Sequence, residues 1–190
     1  MPALLLTMAG ALIAPALAVA GGLEEALQAF GVQMPSEHKP APGFSLALAG
    51  GGSRNLRDYR GRLVLLHFWA TWCAPCRKEM PQLHRLGREL AGAGLSIVCV
   101  NVDRGGEQAV LDFMQQVSPQ FPTLLDPQGS VRNRYGVRAL PTSYLIAGDG
   151  RIIGRVIGER DWSSRVAERL LHRLAASDGH APAEKVRSLP

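Results

Sequence analysis

Two cysteines three positions apart, Cys73 and Cys76, are the residues of this chain best suited to covalent chemistry. They follow a nearly continuous apolar run, Leu63–Trp69, and open a segment whose apolar residues recur at helical spacing. A sulfur in the first turn of a helix meets free backbone N–H groups and the positive end of the helix dipole. Both favour the thiolate, and such placement lowers a cysteine pKa to ~3.5–7.5. The spacing therefore predicts a redox-active pair.

The two cysteines are predicted to have different roles in disulfide exchange. Cys73 lies at the helix start and should attack a disulfide, whereas the more buried Cys76 should resolve the mixed disulfide that forms. Pro75 suits the first helical turn, where its missing N–H costs nothing. Cys99 falls in an apolar strand and is expected to pack as a small hydrophobic residue. Three cysteines do not supply the four ligands of a closed zinc site, so no metal site is predicted.

The composition is that of an ordinary globular protein, with 46% hydrophobic and 19% charged residues among 190. A chain of this length can bury a sizeable core without disulfide staples. The formal charge of +5 is spread among interspersed acids and bases, and the 6% of aromatic residues offer little for stacking on bases. We therefore predict no nucleic-acid partner.

Residues 1–20 have the character of a targeting segment. They carry no charged side chain, are rich in Leu and Ala, and offer small residues at Ala18 and Ala20 for a signal peptidase. The stretch also reaches the ~17 residues needed to span a bilayer, so a cleaved signal peptide and an uncleaved membrane anchor both stay open. In either case the mature domain would be periplasmic or otherwise extracytoplasmic, touching the membrane only through an uncleaved segment.

Four units are predicted along the chain: the segment 1–20, a linker over 21–41, one folded domain over 42–176 and a disordered tail over 177–190. The domain shows strand–helix–strand–helix order, then a hairpin around a Gly-Asp-Gly turn and a closing helix. This order predicts an α/β fold with a mixed central sheet and helices on both faces. Ser163 is expected to cap the closing helix, and Val166 to face inward.

The residues around the cysteines resemble the thioredoxin superfamily. The sequence LVLLHFWATWCAPCRKEMP over residues 63–81 is similar to the strand, motif and helix of the exported TlpA/ResA-like branch. GVRALPTSYLI over 136–146 is similar to its cis-proline loop, and GERDW over 158–162 to the turn before its last helix. The helical stretch 106–117 and the short strand after it match the insertion of this branch. The resemblance implies a thioredoxin-like fold with an N-terminal hairpin and an inserted helix–strand element.

The same resemblance implies a substrate-binding loop. Pro141 would follow a cis peptide bond beside the two cysteines, and the backbone of Leu140 would pair with an extended substrate segment. Trp72, next to Cys73, and Pro75 count as supporting residues of the motif.

Two residues could handle protons near the cysteines. Glu79, three residues after Cys76, matches an acidic position tied to redox tuning in this branch, and an exposed helix glutamate is the alternative. His67 stands where thioredoxins usually have Asp and this branch often has Asn, beneath the second cysteine. A histidine there could accept a proton near neutral pH, and a hydrogen-bonded core histidine is the alternative.

The resemblance implies an enzyme, an exported thiol–disulfide oxidoreductase whose only redox group is the Cys73–Cys76 disulfide. The expected reaction is reduction of specific exported protein disulfides, of the cytochrome c maturation or copper-site assembly type, with electrons from a membrane thiol reductase. Two alternatives stay open: an oxidant of the DsbA type, and a metallochaperone holding Cu(I) through Cys73, Cys76 and His67. A peroxidase is not predicted, because Cys73 lacks the Thr-x-x-Cys pattern with a preceding proline.

Overall fold

A computed structural model describes residues 14–37, 39–117 and 122–177, with side chains from residue 22 onward. The predicted targeting segment through residue 13 and the predicted tail from residue 178 lie outside the described residues. The strands are β1 (Ser45–Leu48), β2 (Ser53–Asn55), β3 (Leu63–Trp69), β4 (Leu95–Asn101), β5 (Thr123–Leu125), β6 (Thr142–Ile146) and β7 (Ile152–Ile157). The α-helices are α1 (Ala14–Ala29), α2 (Ala74–Leu90), α3 (Glu107–Val117), α4 (Ser130–Arg134) and α5 (Arg165–Ser177).

The seven strands form one mixed sheet in the order β2-β1-β5-β4-β3-β6-β7. β3 lies inside this sheet, parallel to β4 and antiparallel to β6. Every residue of β3 is buried, because helices or loops cover both faces of a central strand. The continuous apolar run in the sequence has this physical origin, and the predicted mixed sheet is confirmed.

The N-terminal hairpin and the inserted helix–strand element both belong to the sheet, as predicted. β1 and β2 pair antiparallel across the turn at 49–52. β5, which follows the inserted helix α3, pairs in parallel with β4 and antiparallel with β1. The insertion therefore extends the sheet by one strand and carries the hairpin at its outer edge.

Helices cover both faces of the sheet. Successive side chains of a strand point to opposite faces, so neighbouring residues meet different helices. His67 on β3 and Cys99 on β4 face α2, where they meet Glu79 and Met80. α5 packs beside α2 on this face. Phe68 points the other way, and its ring lies 5.5 Å from that of Tyr135, which follows α4.

The segment predicted as a linker is packed along the domain. α1 begins inside the predicted segment 1–20 and runs to Ala29, and the side chains of Leu27 and Val32 are buried. Gln33 forms an isolated antiparallel bridge with Arg155, and Pro40 forms one with Arg151. Single bridges leave no periodic pattern in a sequence. The prolines are therefore the visible signal in this segment, and prolines are typical of a linker. No helix of the described residues combines the length and apolar character that crossing a bilayer requires.

The cap of α5 is Ser164, and the prediction of Ser163 is wrong. The Ser164 hydroxyl accepts the Ala167 N–H at 3.2 Å, whereas the Ser163 hydroxyl donates to the Asp161 carboxylate. Two adjacent serines offer the same capping group, and the nearby carboxylate takes one of them. The inward face is rotated accordingly: Ala167 is buried, and Val166, expected to face inward, is 49% exposed.

The assignment of these helix faces predicts unequal effects of two alanine substitutions. Leu83→Ala on α2 removes a fully buried side chain, so it should lower the free energy of unfolding by about 2–5 kcal/mol. Val166→Ala on α5 removes a half-exposed one and should change it by about 0.5 kcal/mol or less. Urea unfolding of the oxidised protein measures both, and equal losses would contradict the assigned faces.

Candidate active site

Cys73 and Cys76 form a disulfide at the start of α2. Cys73 is the residue before the first helical one, and its sulfur accepts the backbone N–H of Cys76 at 3.3 Å. Pro75 occupies the first turn, as expected. Cys73 is 5% exposed and Cys76 is 0% exposed. The more accessible sulfur is thus the one at the helix N-terminus, which suits the nucleophile, and the two roles stay predictions.

A buried carboxylate fixes the turn that leads into Cys73. Both oxygens of Asp103 lie within 3.2 Å of the Thr71 N–H, and the Asn101 side-chain amide donates to Asp103 at 3.1 Å. β3 and β4 are parallel, so the loops that follow them leave the same edge of the sheet. Sequence reasoning missed Asp103. Its signal was a pair of polar residues just where the strand beside the motif ends.

The Leu140–Pro141 peptide bond is cis, as the resemblance implied. Thr142, the next residue, pairs with Phe68 near the end of β3, so the proline lies at the sheet end from which the chain enters the cysteine motif. Pro141 is buried and Leu140 is partly exposed. Binding of a substrate through the Leu140 backbone stays a prediction.

Trp72 is the most exposed large apolar side chain of the described residues, at 70%. It precedes Cys73 directly, so a partner approaching that sulfur would meet the indole. Large exposed aromatic side chains are typical of protein contact sites. Its supporting role stays a prediction.

Glu79 is buried, at 1% exposed, so the alternative of an exposed helix glutamate is wrong. Its Oε1 accepts the backbone N–H of Arg160 at 2.6 Å and the indole N–H of Trp162 at 3.0 Å. Burial raises the pKa of Glu79 to about 7, against the opposing effect of these two hydrogen bonds. The GERDW turn was noted in the sequence, but nothing there indicates that it reaches back to α2.

His67 is completely buried beneath α2. Its Nδ1 lies 2.9 Å from the Ser143 hydroxyl, and its Nε2 lies 3.7 Å from Oε2 of Glu79. Burial lowers the pKa of His67 to about 3, so the imidazole is neutral at neutral pH. Ser143 is a further residue that sequence reasoning missed, since only the pairing of β3 with β6 places it beside His67.

The structure brings His67 and Glu79 together, and each side chain keeps one polar atom without a hydrogen bond in the part of the chain described. Within the part of the chain described, His67 Nε2 and Glu79 Oε2 have no hydrogen-bond partner, and 3.7 Å is too long for a bond between them. Glu79 lies one helical turn after Cys76, on the same side of α2. With a pKa of about 7, its carboxyl can take up or release a proton near neutral pH.

Cys99 is a buried free thiol in β4, as its predicted packing role requires. Burial, and after it the nearby Glu79 charge, raises the pKa of Cys99 well above its usual range. A thiol that stays protonated is a poor nucleophile. Across residues 22–37, 39–117 and 122–177, no three His, Cys, Asp or Glu side chains converge to hold a metal ion. The Cu(I) alternative therefore has no three-ligand cluster of this kind to support it.

Glu79→Gln and His67→Asn should change the pH dependence of stability in opposite directions. The pKa of Glu79 is raised from 4.5 to about 7, so its stabilising contribution is full below pH 4.5 and lost as the pH rises toward 7. The pKa of His67 is lowered from 6.5 to about 3, so its contribution is full above pH 6.5 and lost as the pH falls toward 3. In the parent protein the two slopes oppose each other.

Urea unfolding of the oxidised proteins across this pH range tests the assignment. In Glu79→Gln, stability should rise with pH toward 6.5, because the glutamate slope no longer opposes that of His67. In His67→Asn it should fall from pH 4.5 toward 7, because the His67 slope no longer opposes that of Glu79. Each change should be on the order of 3 kcal/mol. The same pH profile in both variants would rule out the assigned burial.

The sequence is similar to those of known thiol-disulfide oxidoreductases. A family model described as AhpC/TSA family matches residues 38–155. The thiol-disulfide oxidoreductase ResA of Bacillus subtilis (strain 168) is 38% identical over 128 residues, which cover 67% of this chain and 71% of that protein. ResA of Bacillus thuringiensis subsp. konkukian (strain 97-27) is 38% identical over 122 residues, which cover 64% of this chain and 70% of that protein.

A solved structure supports the same relationship. A proposed thiol:disulfide interchange protein DsbE from Chlorobium tepidum matches with a TM-score of 0.67 and 31% identity, over 74% of this chain and 98% of that chain. The predicted thioredoxin-like fold is thereby confirmed. The chain belongs to the AhpC/TSA family of thioredoxin-like proteins, in the group of thiol–disulfide oxidoreductases that includes ResA.

Proposed function

We propose that this chain reduces disulfide bonds of exported proteins, with Cys73 as the nucleophile and Cys76 as the resolving thiol. One observation carries the proposal: the Cys73 sulfur stands before the first turn of α2 and accepts the Cys76 N–H. An N–H aimed at this sulfur and the positive end of the helix dipole both favour a thiolate. The similarity to named thiol-disulfide oxidoreductases supports the same chemistry.

The reaction has two exchange steps. The Cys73 thiolate attacks one sulfur of the substrate disulfide, and the other substrate sulfur leaves as a thiolate and takes a proton from water. Cys76 then loses its proton and attacks the Cys73 sulfur, which releases the second substrate thiolate. The substrate is reduced by two electrons, and Cys73 and Cys76 are left joined as the disulfide. A thiol reductase of the membrane is the proposed source of the two electrons that restore the dithiol.

Glu79 is the group best placed to accept the Cys76 proton. It lies one turn after Cys76, and its pKa of about 7 leaves much of it ionised near neutral pH. His67 is the weaker base, because its pKa of about 3 means that burial opposes protonation of the ring. We therefore infer that the Glu79 carboxylate accepts the Cys76 proton. His67 lies uncharged beside Oε2 of that carboxylate.

The buried carboxylate also favours a reductant over an oxidant. A strong oxidant such as DsbA owes its potential to a stabilised thiolate in the reduced form. A negative charge beneath α2 opposes thiolates in this pocket, and at Cys99 it adds to burial, which is the larger cause of the raised pKa of that thiol. The dithiol should therefore give up its electrons more readily than that of DsbA.

The substrate contacts follow from the residues around the sulfurs. An extended polypeptide lying along the cis-proline loop would meet the backbone of Leu140, with Pro141 fixing the loop and Trp72 exposed beside Cys73. Such contacts bind an extended backbone and do not select a particular side chain of the substrate. Thiol proteins of the cytochrome c maturation or copper-site assembly type are the proposed substrate class.

An extracytoplasmic location is part of the proposal. It is supported by the uncharged, Leu- and Ala-rich sequence of residues 1–20. A thiol reductant has a specific task in such compartments, because disulfides form and persist there.

Cys76→Ser should trap the first intermediate. Without the resolving thiol, a disulfide-linked probe peptide should stay attached to Cys73, and intact-mass spectrometry should show one adduct per chain. The matched control is Cys99→Ser, which keeps both motif cysteines and should release the peptide as the parent does. Adducts on Cys99, or no adduct in Cys76→Ser while the parent reduces the same peptide, would contradict the two-cysteine mechanism.

The reduction potential decides the direction of electron flow. Equilibration with thiol buffers should place the Cys73–Cys76 couple nearer thioredoxin, at about −270 mV, than DsbA, at about −120 mV. Glu79→Gln should make the potential less negative above pH 7, where the parent carboxyl is ionised, and should change it little below that pH. A parent value close to that of DsbA would favour the oxidant alternative.

A further inference from the structure

The loop between β7 and α5, residues 158–164, closes over one oxygen of the buried carboxyl. Oε1 of Glu79 accepts both the Arg160 backbone N–H, at 2.6 Å, and the Trp162 indole N–H, at 3.0 Å. Trp162 is buried. Because these two donors occupy Oε1, the other oxygen is the one turned toward His67.

Residues 22–37, here called the N-terminal segment, contact this loop from the side away from α2. The ring of Phe30, which directly follows α1, lies 5.3 Å from the Trp162 ring, and its carbonyl accepts the Arg160 Nε–H at 3.1 Å. Gly31 has a left-handed φ of +83°, and a Cβ there would lie 2.5 Å from the Arg160 guanidinium. The chain turns away from α1 at a glycine because a residue with a Cβ rarely adopts this left-handed φ, and the Arg160 side chain packs against the turn.

The helix that carries the cysteines holds the loop from inside. The Trp162 backbone N–H donates to the side-chain oxygen of Gln82 at 2.9 Å. Gln82 lies three residues after Glu79, so both acceptors belong to one stretch of α2. The indole is therefore fixed on three sides, by α2, by its own loop and by Phe30.

We propose that Trp162 is a positioning residue for the Glu79 carboxylate and that Phe30 holds Trp162 in place, so that the N-terminal segment is part of the active site. The proposal rests on the proposed function of Glu79 as proton acceptor. The indole N–H stabilises the ionised carboxylate, which burial alone would suppress, and it turns the free oxygen inward. Without it, the carboxyl would stay protonated to a higher pH and accept the Cys76 proton less readily.

Arg160 shares this task with the indole, and the remaining groups do not. The Arg160 backbone N–H and the Arg160 positive charge both lower the Glu79 pKa, whereas the like charge of Glu159 raises it. The imidazole on the Oε2 side is neutral and 3.7 Å away. The titratable or charged groups that face Glu79 come from β3, β4 and the 158–164 loop: His67, Cys99, Glu159 and Arg160.

Trp162→Phe in the full chain tests the proposal, because it keeps a ring against Phe30 and removes only the donor. Carboxyl ¹³C NMR titration of Glu79 should show its pKa raised by about one unit, the effect of losing a hydrogen bond to a charged group. The matched control is Trp69→Phe, which removes a buried indole N–H that has no partner among the described residues. That variant should leave the Glu79 titration where the parent has it.

Reaction with Ellman's reagent carries the test into the mechanism. The first release of thionitrobenzoate reports attack by Cys73, and the second reports resolution by Cys76. In Trp162→Phe the pH profile of the second release should move up with the Glu79 pKa, and the first release should keep its profile. Adding Trp162→Phe to Glu79→Gln should shift neither.

Phe30→Ala provides a second variant that leaves the indole intact. It should raise the Glu79 pKa in the same direction by a smaller amount, whereas Met34→Ala, a partly buried apolar residue of the same segment, should not. An unchanged Glu79 pKa in folded Trp162→Phe would overturn the proposal, and equal shifts in Phe30→Ala and Met34→Ala would overturn the role of Phe30. If Trp162→Phe raised the Glu79 pKa but left the pH profile of the second thionitrobenzoate release unchanged, Trp162 would be upheld as a positioning residue. The same result would refute Glu79 as the proton acceptor.

Discussion

The buried carboxyl of Glu79 is the constraint on which the arrangement around the cysteines depends. A carboxylate removed from water is unstable unless hydrogen bonds replace its hydration. Here the 158–164 loop supplies two donors to one oxygen, and a neutral histidine stands on the side of the other. The group is therefore neither fully neutralised nor fully stabilised as an ion, and its pKa stays near the pH at which thiol exchange operates.

Two electrostatic influences of opposite sign meet at the disulfide. The N-terminus of α2 favours a thiolate at Cys73, through the Cys76 N–H and the helix dipole. The buried carboxylate opposes thiolates deeper in the pocket, and it adds to burial, the larger cause, in raising the pKa of Cys99. These opposite influences suit the proposed roles, in which Cys73 attacks the substrate disulfide and Cys76 resolves the mixed disulfide.

The sheet brings these parts to one place. β3 leads into the cysteine motif, its parallel neighbour β4 ends near Asp103, and its antiparallel neighbour β6 begins just after Pro141. Three segments far apart in the chain therefore meet at one end of the strands. The N-terminal segment closes the same region from the β7 side, through Gln33 on Arg155 and Phe30 on Trp162. Segments from both ends of the described domain therefore pack around the candidate active site.

The sequence by itself determined the features that local patterns encode. The buried run of β3, the cysteines opening α2, the turn-linked β6 and β7 and the helical period of α2 each lie within a short stretch of chain. The cis bond before Pro141 was expected only through resemblance of a whole segment. Tertiary structure alone decided that Glu79 is buried, that His67 faces it and that Trp162 and Phe30 enclose it. Those contacts join residues up to 130 positions apart, as Arg160 with Phe30 does, and their energies depend on burial and orientation, which no local pattern of residue types specifies.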